Sequence, residues 1–122
     1  MDTTKAVGCA AIAPMKSAAG SRRSDAHAQL DLNYTQDIPL ADIIDIVYKV
    51  KAQCYSIEAA NPQHEHEWKV WRDTKLPAGK ILIPGVVSHA TNVLEHPELV
   101  ADRLVRYAEV AGRENVIAGT DC

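Results

Sequence analysis

Five residue types that can do chemistry stand at the ends of apolar runs. Glu58 follows "CYSI", Ser88 and His89 follow "KILIPGVV", and Asp121 and Cys122 follow "NVIAGT". A carboxylate, an imidazole and a thiol converging on one rim are donors that zinc accepts. An imidazole there can also hand a proton to a leaving group. Each residue has a plain reading beside this one. Glu58 could meet solvent at a strand end, since exposed carboxylates are common. Cys122 could be a passive small hydrophobe. For His89, loop residue and proton donor stay equally open. His64 and His66, two apart in "HEHEW", read as a solvated helix start, and Cys54 reads as core.

Elements that would bring these residues together are visible in the periodicity. "DIPLADIIDIVYKVKAQ" places Leu40, Ile43, Ile44, Val47 and Val50 at helical spacing, with Asp37 as cap and Pro39 in the first turn. "HEHEWKVWRDTK" predicts a short helix with Trp68 and Trp71 on one face. "PELVADRLVRYAEVAGR" predicts a third helix, with Pro97 at its start, Gly112 as its stop, and a stripe of Val100, Leu104, Tyr107, Ala108 and Ala111. Between them lie three strand-like runs: "CYSIEAA", "KILIPGVV" and "NVIAGTDC", in the last of which Val116–Ala118 reads as buried. "SHATNVLEH" reads as a loop. Alternation of this kind predicts an α/β fold with about three parallel strands and covering helices. In such folds ligands gather at the carboxyl ends of strands, which is where the polar residues fall.

Composition narrows the classes. With 122 residues the prior is one domain. A net charge of -3 gives no basic footprint for nucleic acid, and no apolar run is long enough for a membrane helix. No glycine-rich nucleotide motif is present. Cys9, Cys54 and Cys122 are odd in number and scattered, which predicts no disulfide framework and a reducing, cytoplasmic setting. Residues 1–30 are rich in Ala and Ser, hold no helix or strand period, and read as a disordered or non-native leader. Val7–Met15 is a poor signal core, since it lacks Leu and follows Asp2.

Three long stretches, "SIEAANPQHEHEWKVW", "KLPAGKILIPGVVSHATNVLEHPELVADR" and "GRENVIAGTDC", together resemble the cobalamin-independent methionine synthase family. The chain resembles the shorter relatives that lack the duplicated N-terminal half, from about Asn33 to Cys122. The resemblance implies part of a TIM (β/α)8 barrel over residues 31–122. It implies a zinc ion that holds the thiolate of homocysteine while a methyl group arrives from a 5-methyltetrahydrofolate polyglutamate. Glu58 matches the family's glutamate ligand and Cys122 its last cysteine ligand. His89 lies one position from the family's proton donor. The family's His-x-Cys ligand pair has no match: anchoring on Asn33 puts Ala28 and Leu30 there, with His27 one residue out of register. A whole barrel needs about 250 residues. The resemblance therefore leads us to expect a truncated member, inactive by itself, with open sheet edges available for self-association. Two alternatives stand beside it: a non-enzymatic remnant or interaction module of the same fold, and a methyltransferase that takes its methyl group from another donor.

Overall fold

The structure, a computed structural model, describes residues 9–12 and 38–121. Helix α1 (Leu40–Lys49) forms where the apolar spacing predicts it, and Leu40, Ile43, Ile44 and Val47 are all buried. Val50 ends the helix in extended conformation and leaves the stripe, 41 % exposed. Asp37, the expected cap, lies outside the described residues. Pro39 occupies the cap position and has no side chain able to accept, so the first helical amide finds an acceptor elsewhere. Leu40 N donates to Glu67 Oε1 at 2.9 Å. A carboxylate 27 residues downstream thus caps the helix and meets the positive end of its dipole.

Strand β2 (Cys54–Ile57) is followed by a 3-10 turn at Glu65–Glu67 and by α2 (Trp68–Thr74). Then come β3 (Ile81–Val87), α3 (Pro97–Ala111), a second 3-10 turn at Arg113–Asn115 and β4 (Gly119–Thr120). Pro97 starts α3 as expected, and His96 Nδ1 accepts from Glu98 N at 3.2 Å. Gly112 ends α3 at φ 89°, a conformation that costs glycine little.

One further strand, β1 (Cys9–Ile12), pairs in parallel with β2. The sheet has the order β1-β2-β3-β4, with every pairing parallel. The α/β class with parallel strands is as expected, but there are four strands rather than three. The extra one lies within the segment read as a leader without order, and that reading is corrected for Cys9–Ile12. Three small residues and one isoleucine carry no period of their own. Their extended form comes from pairing Ala10 with Tyr55 and Ile12 with Ile57, and from packing against the core. The same register pairs Cys9 with Cys54 at a Cα–Cα distance of 4.6 Å, where they form a disulfide. The reading of scattered cysteines as no disulfide framework missed this bridge, because the two are 45 residues apart and only the sheet brings them together.

The helices cover one face of the sheet. Tyr55, Ile57 and Leu82 pack there against the buried stripe of α1, Trp71 of α2 and Tyr107 of α3. The opposite face carries Ser56, Ile81 and Ile83, all half-buried. The predicted buried strand at Val116–Ala118 is also corrected. Val116 makes only an isolated bridge to Leu82, Ile117 is 52 % exposed, and β4 itself is two residues long. β4 is an edge, and no described strand covers its far side. No described helix is long and apolar enough to cross a membrane.

Trp71 is completely buried, and its indole N–H has no hydrogen-bond partner among the described residues, so its role is packing. Trp71→Ala should cost about 3–5 kcal/mol of stability, read by urea denaturation followed by far-UV circular dichroism. A cost below about 1 kcal/mol would show that α2 is not docked on the sheet.

Candidate functional site

At the carboxyl rim of the sheet a single buried carboxylate organises the chain. Asp121, just past β4, is 5 % exposed. Its Oδ1 accepts from Ala59 N at 2.9 Å and from Ala60 N at 3.2 Å, and its Oδ2 accepts from Asn61 Nδ2 at 3.0 Å. A buried charge needs such partners, and three donors satisfy most of its capacity. Those donors belong to the turn after β2, whereas Asp121 follows β4, so the side chain must cross β3. It crosses at Gly85: a Cβ there would collide with Asp121 Oδ1 and come within 2.7 Å of Asp121 N. The glycine is needed for this close approach, not for a special backbone angle. Asp121 N also donates to Val87 O at 3.0 Å, which fixes the residue from the backbone side.

Asn61 ties this clamp to Glu58. Its Nδ2 donates to Glu58 Oε2 at 3.3 Å as well as to Asp121, while its Oδ1 accepts from Gln63 N at 3.0 Å and His64 N at 3.1 Å. The second pair closes an Asx-type turn. His64 then meets Glu67 Oε2 through Nδ1 at 3.0 Å. The solvated helix start expected for both histidines holds only for His66, which is exposed. His64 is buried, because Glu67 is turned inward to cap α1 and takes the imidazole with it.

The loop after β3 is held by Arg103 of α3. Arg103 is 6 % exposed, donates through Nε to Glu65 Oε1 at 3.0 Å, and through Nη1 to Val86 O at 3.0 Å and Glu95 Oε1 at 2.6 Å. Glu95 Oε2 in turn accepts from Ser88 N at 2.8 Å. The Arg103 hydrogen bond, helped by the Ser88 amide, holds the Glu95 carboxyl below its usual range. Burial opposes the Arg103 charge, but Glu95 and Glu65 outweigh it and raise its pKa. Burial, reinforced by Glu67 and Asp121, pushes the Tyr107 phenol well up.

These contacts leave an open cleft of about 390 Å³ lined by Glu58, Asn61, Pro62, Gln63, His89 and Asp121. That volume suits a small molecule. A tighter cavity of about 30 Å³ behind it, between Ile12, Ile57, Glu58 and Glu67, has room for little more than a water. Of the three residues expected to form the site, Glu58 is half-buried and His89 exposed, and both line the open cleft. Cys122 lies outside the described residues. Among the described residues no three His, Cys, Asp or Glu side chains are grouped to hold a metal ion. Sequence reasoning passed over Asn61 and Arg103. Arg103 left a signal, since it falls three after Val100 and four before Tyr107, within the apolar stripe of α3. Asn61 left none beyond marking a turn.

Two outcomes follow from this geometry. Gly85→Ala should destabilise by about 1–3 kcal/mol, the range for overpacking, and that cost should shrink by more than about 1 kcal/mol in an Asp121→Ala background. A urea double-mutant cycle measures both, and additive costs would separate the two residues. For Glu95 the folded-state pKa is depressed, so its contribution is complete above the unfolded value of 4.5 and is lost as pH falls through the lower folded value. Glu95→Gln should therefore flatten the acid limb of a stability profile taken from about pH 6 to about pH 3, while leaving its shape near neutrality unchanged.

Comparison of the chain with protein-family models, with curated proteins and with solved structures returned no match.

Proposed function

We propose that this chain contributes part of a zinc-dependent methyl-transfer site, in which a thiol such as homocysteine accepts a methyl group from a 5-methyltetrahydrofolate-type donor. One observation supports the reading most: Glu58 and His89, singled out independently by sequence, line the same cleft at the carboxyl rim of a parallel sheet. Four strands in sequential order with helices on one face are also what part of a (β/α)8 barrel requires. Glu58 and Cys122 would hold the metal. Asn61 joins Glu58 to Asp121, the residue before Cys122 in the sequence.

The donors fit zinc in kind, a carboxylate and a thiolate, and fall short in number. With Ala28 and Leu30 at the places where the resemblance puts the His-x-Cys pair, this chain supplies two ligands of four. Turnover by the chain alone is not expected. Zinc held by Glu58, Cys122 and ligands from outside this chain would supply a Lewis acid that keeps a thiol as thiolate near neutral pH. Asp121 and Asn61 orient the Glu58 carboxylate. His89, on the cleft wall, would hand a proton to the nitrogen that loses the methyl group, which makes that nitrogen a better leaving group.

A second reading, an interaction module of the same fold, draws on exposed apolar side chains around the rim. Leu94 is 97 % exposed and Val93 beside it 70 %, both in the loop after β3. Exposed apolar patches mark contact surfaces.

Competition with a chromophoric zinc chelator, with and without homocysteine, separates these readings. The chain should bind zinc, tighten on adding homocysteine, and weaken by about tenfold or more in Glu58→Gln and in Cys122→Ser. Equal affinity in all three proteins would sink the ligand assignment. Concentration-dependent assembly in sedimentation, with no zinc uptake, would favour the interaction module.

A further inference from the structure

Cys9 and Cys54 join the edge strand to the sheet, and the two sulfurs sit in unequal surroundings. Cys54 is 2 % exposed, whereas Cys9 is exposed. β1 is four residues long and, among the described strands, pairs with β2 alone. Its only large apolar side chain, Ile12, is half-buried, and Ala10 is its other inward residue. Without the disulfide, β1 would rest on a short ladder and one partly covered isoleucine. Segments with so little burial open locally at low cost. By contrast β2 and β3 hold the fully buried Tyr55 and Leu82, which also pack against the stripe of α1, Trp71 and Tyr107.

We propose that the Cys9–Cys54 pair is a reversible thiol–disulfide latch that decides whether β1 closes the edge of β2. The proposal is independent of the methyl-transfer reading. Reduction starts at the accessible sulfur. A thiolate of a small dithiol attacks Cys9 Sγ, the sulfur–sulfur bond breaks, and Cys54 leaves as a thiolate that takes up a proton. The second thiol of the reductant attacks the mixed disulfide, releasing Cys9 as a thiol and the reductant as its own disulfide. Two electrons and two protons pass to the protein pair. β1 then leaves, and the backbone groups of β2 that it had paired become an open parallel edge of the kind that recruits another strand. Ile12 also walls the small cavity that Glu58 lines, so release of β1 removes part of that wall.

The test uses the full chain with Cys122→Ser, which leaves one cysteine pair, and the unsubstituted chain in parallel. Iodoacetamide labelling after denaturation should add no label to the Cys122→Ser chain equilibrated with oxidised glutathione and two after dithiothreitol, against one and three for the unsubstituted chain. Amide hydrogen exchange, read by mass spectrometry, should show residues 54–57 losing about tenfold or more of their protection on reduction and regaining it on reoxidation. Residues 97–111 should stay protected throughout and report that the rest of the chain is folded. Two free thiols under oxidising conditions would overturn the proposal, as would unchanged protection of β2. Loss of protection across α3 would also overturn it, because the disulfide would then be a global staple rather than a latch. Cys9→Ser should match the reduced state in both conditions. If that variant fails to fold, the redox comparison on the unsubstituted pair still decides.

Discussion

The carboxyl rim of this protein depends on one buried carboxylate. Asp121 reaches from the end of β4 over Gly85 of β3 to the amides of Ala59 and Ala60 after β2. Three strands are thereby locked at one end by a single side chain. The low dielectric around it raises the cost of leaving the charge unpaired, and that cost holds the turn at 59–61 in place. The interaction has a geometric condition: the middle strand must carry no side chain where the carboxylate passes. Gly85 meets it, so a strand residue and a strand-end residue 36 positions apart form one device.

Two other buried charges repeat the logic at the helices. Glu67 caps α1 from a distant turn and holds His64 with its second oxygen. Arg103 joins α3 to the carbonyl of Val86, to Glu95 and to Glu65. Each charge sits where a helix, a strand end and a loop meet, and each satisfies several partners at once. Buried ions of this kind add less net stability than their contacts suggest, since desolvation offsets the attraction. Their effect is to select one arrangement of loops, and the loops they select carry Glu58 and His89 into a common cleft.

Much of the scaffold was legible in one dimension. α1 and α3 follow from apolar spacing, Pro97 and Gly112 mark the limits of α3, and β3 follows from an uninterrupted apolar run. Elements whose reason lies elsewhere in the chain were not legible. β1 has no pattern of its own and exists through pairing with β2. The Val116–Ala118 run looks apolar enough for a buried strand, yet it stands at a sheet edge with Ile117 open to solvent. Apolar composition reports the capacity to be buried, and only the number of neighbours decides whether burial happens.

For the site, the sequence by itself determined which donors exist and that they stand at strand ends, because the alternation of helices and strands follows from local periodicity. It therefore identified Glu58 and His89 as members of one rim. The tertiary structure decided how that rim is held. Asp121 became a clamp rather than a free acid, Asn61 a bridge between two carboxylates, Arg103 a buried tie, and Cys9 the partner of Cys54. Periodicity is a property of neighbours within a few residues, whereas the partners of a buried charge or a sulfur are set by sheet register and by which side chain is absent, as at Gly85.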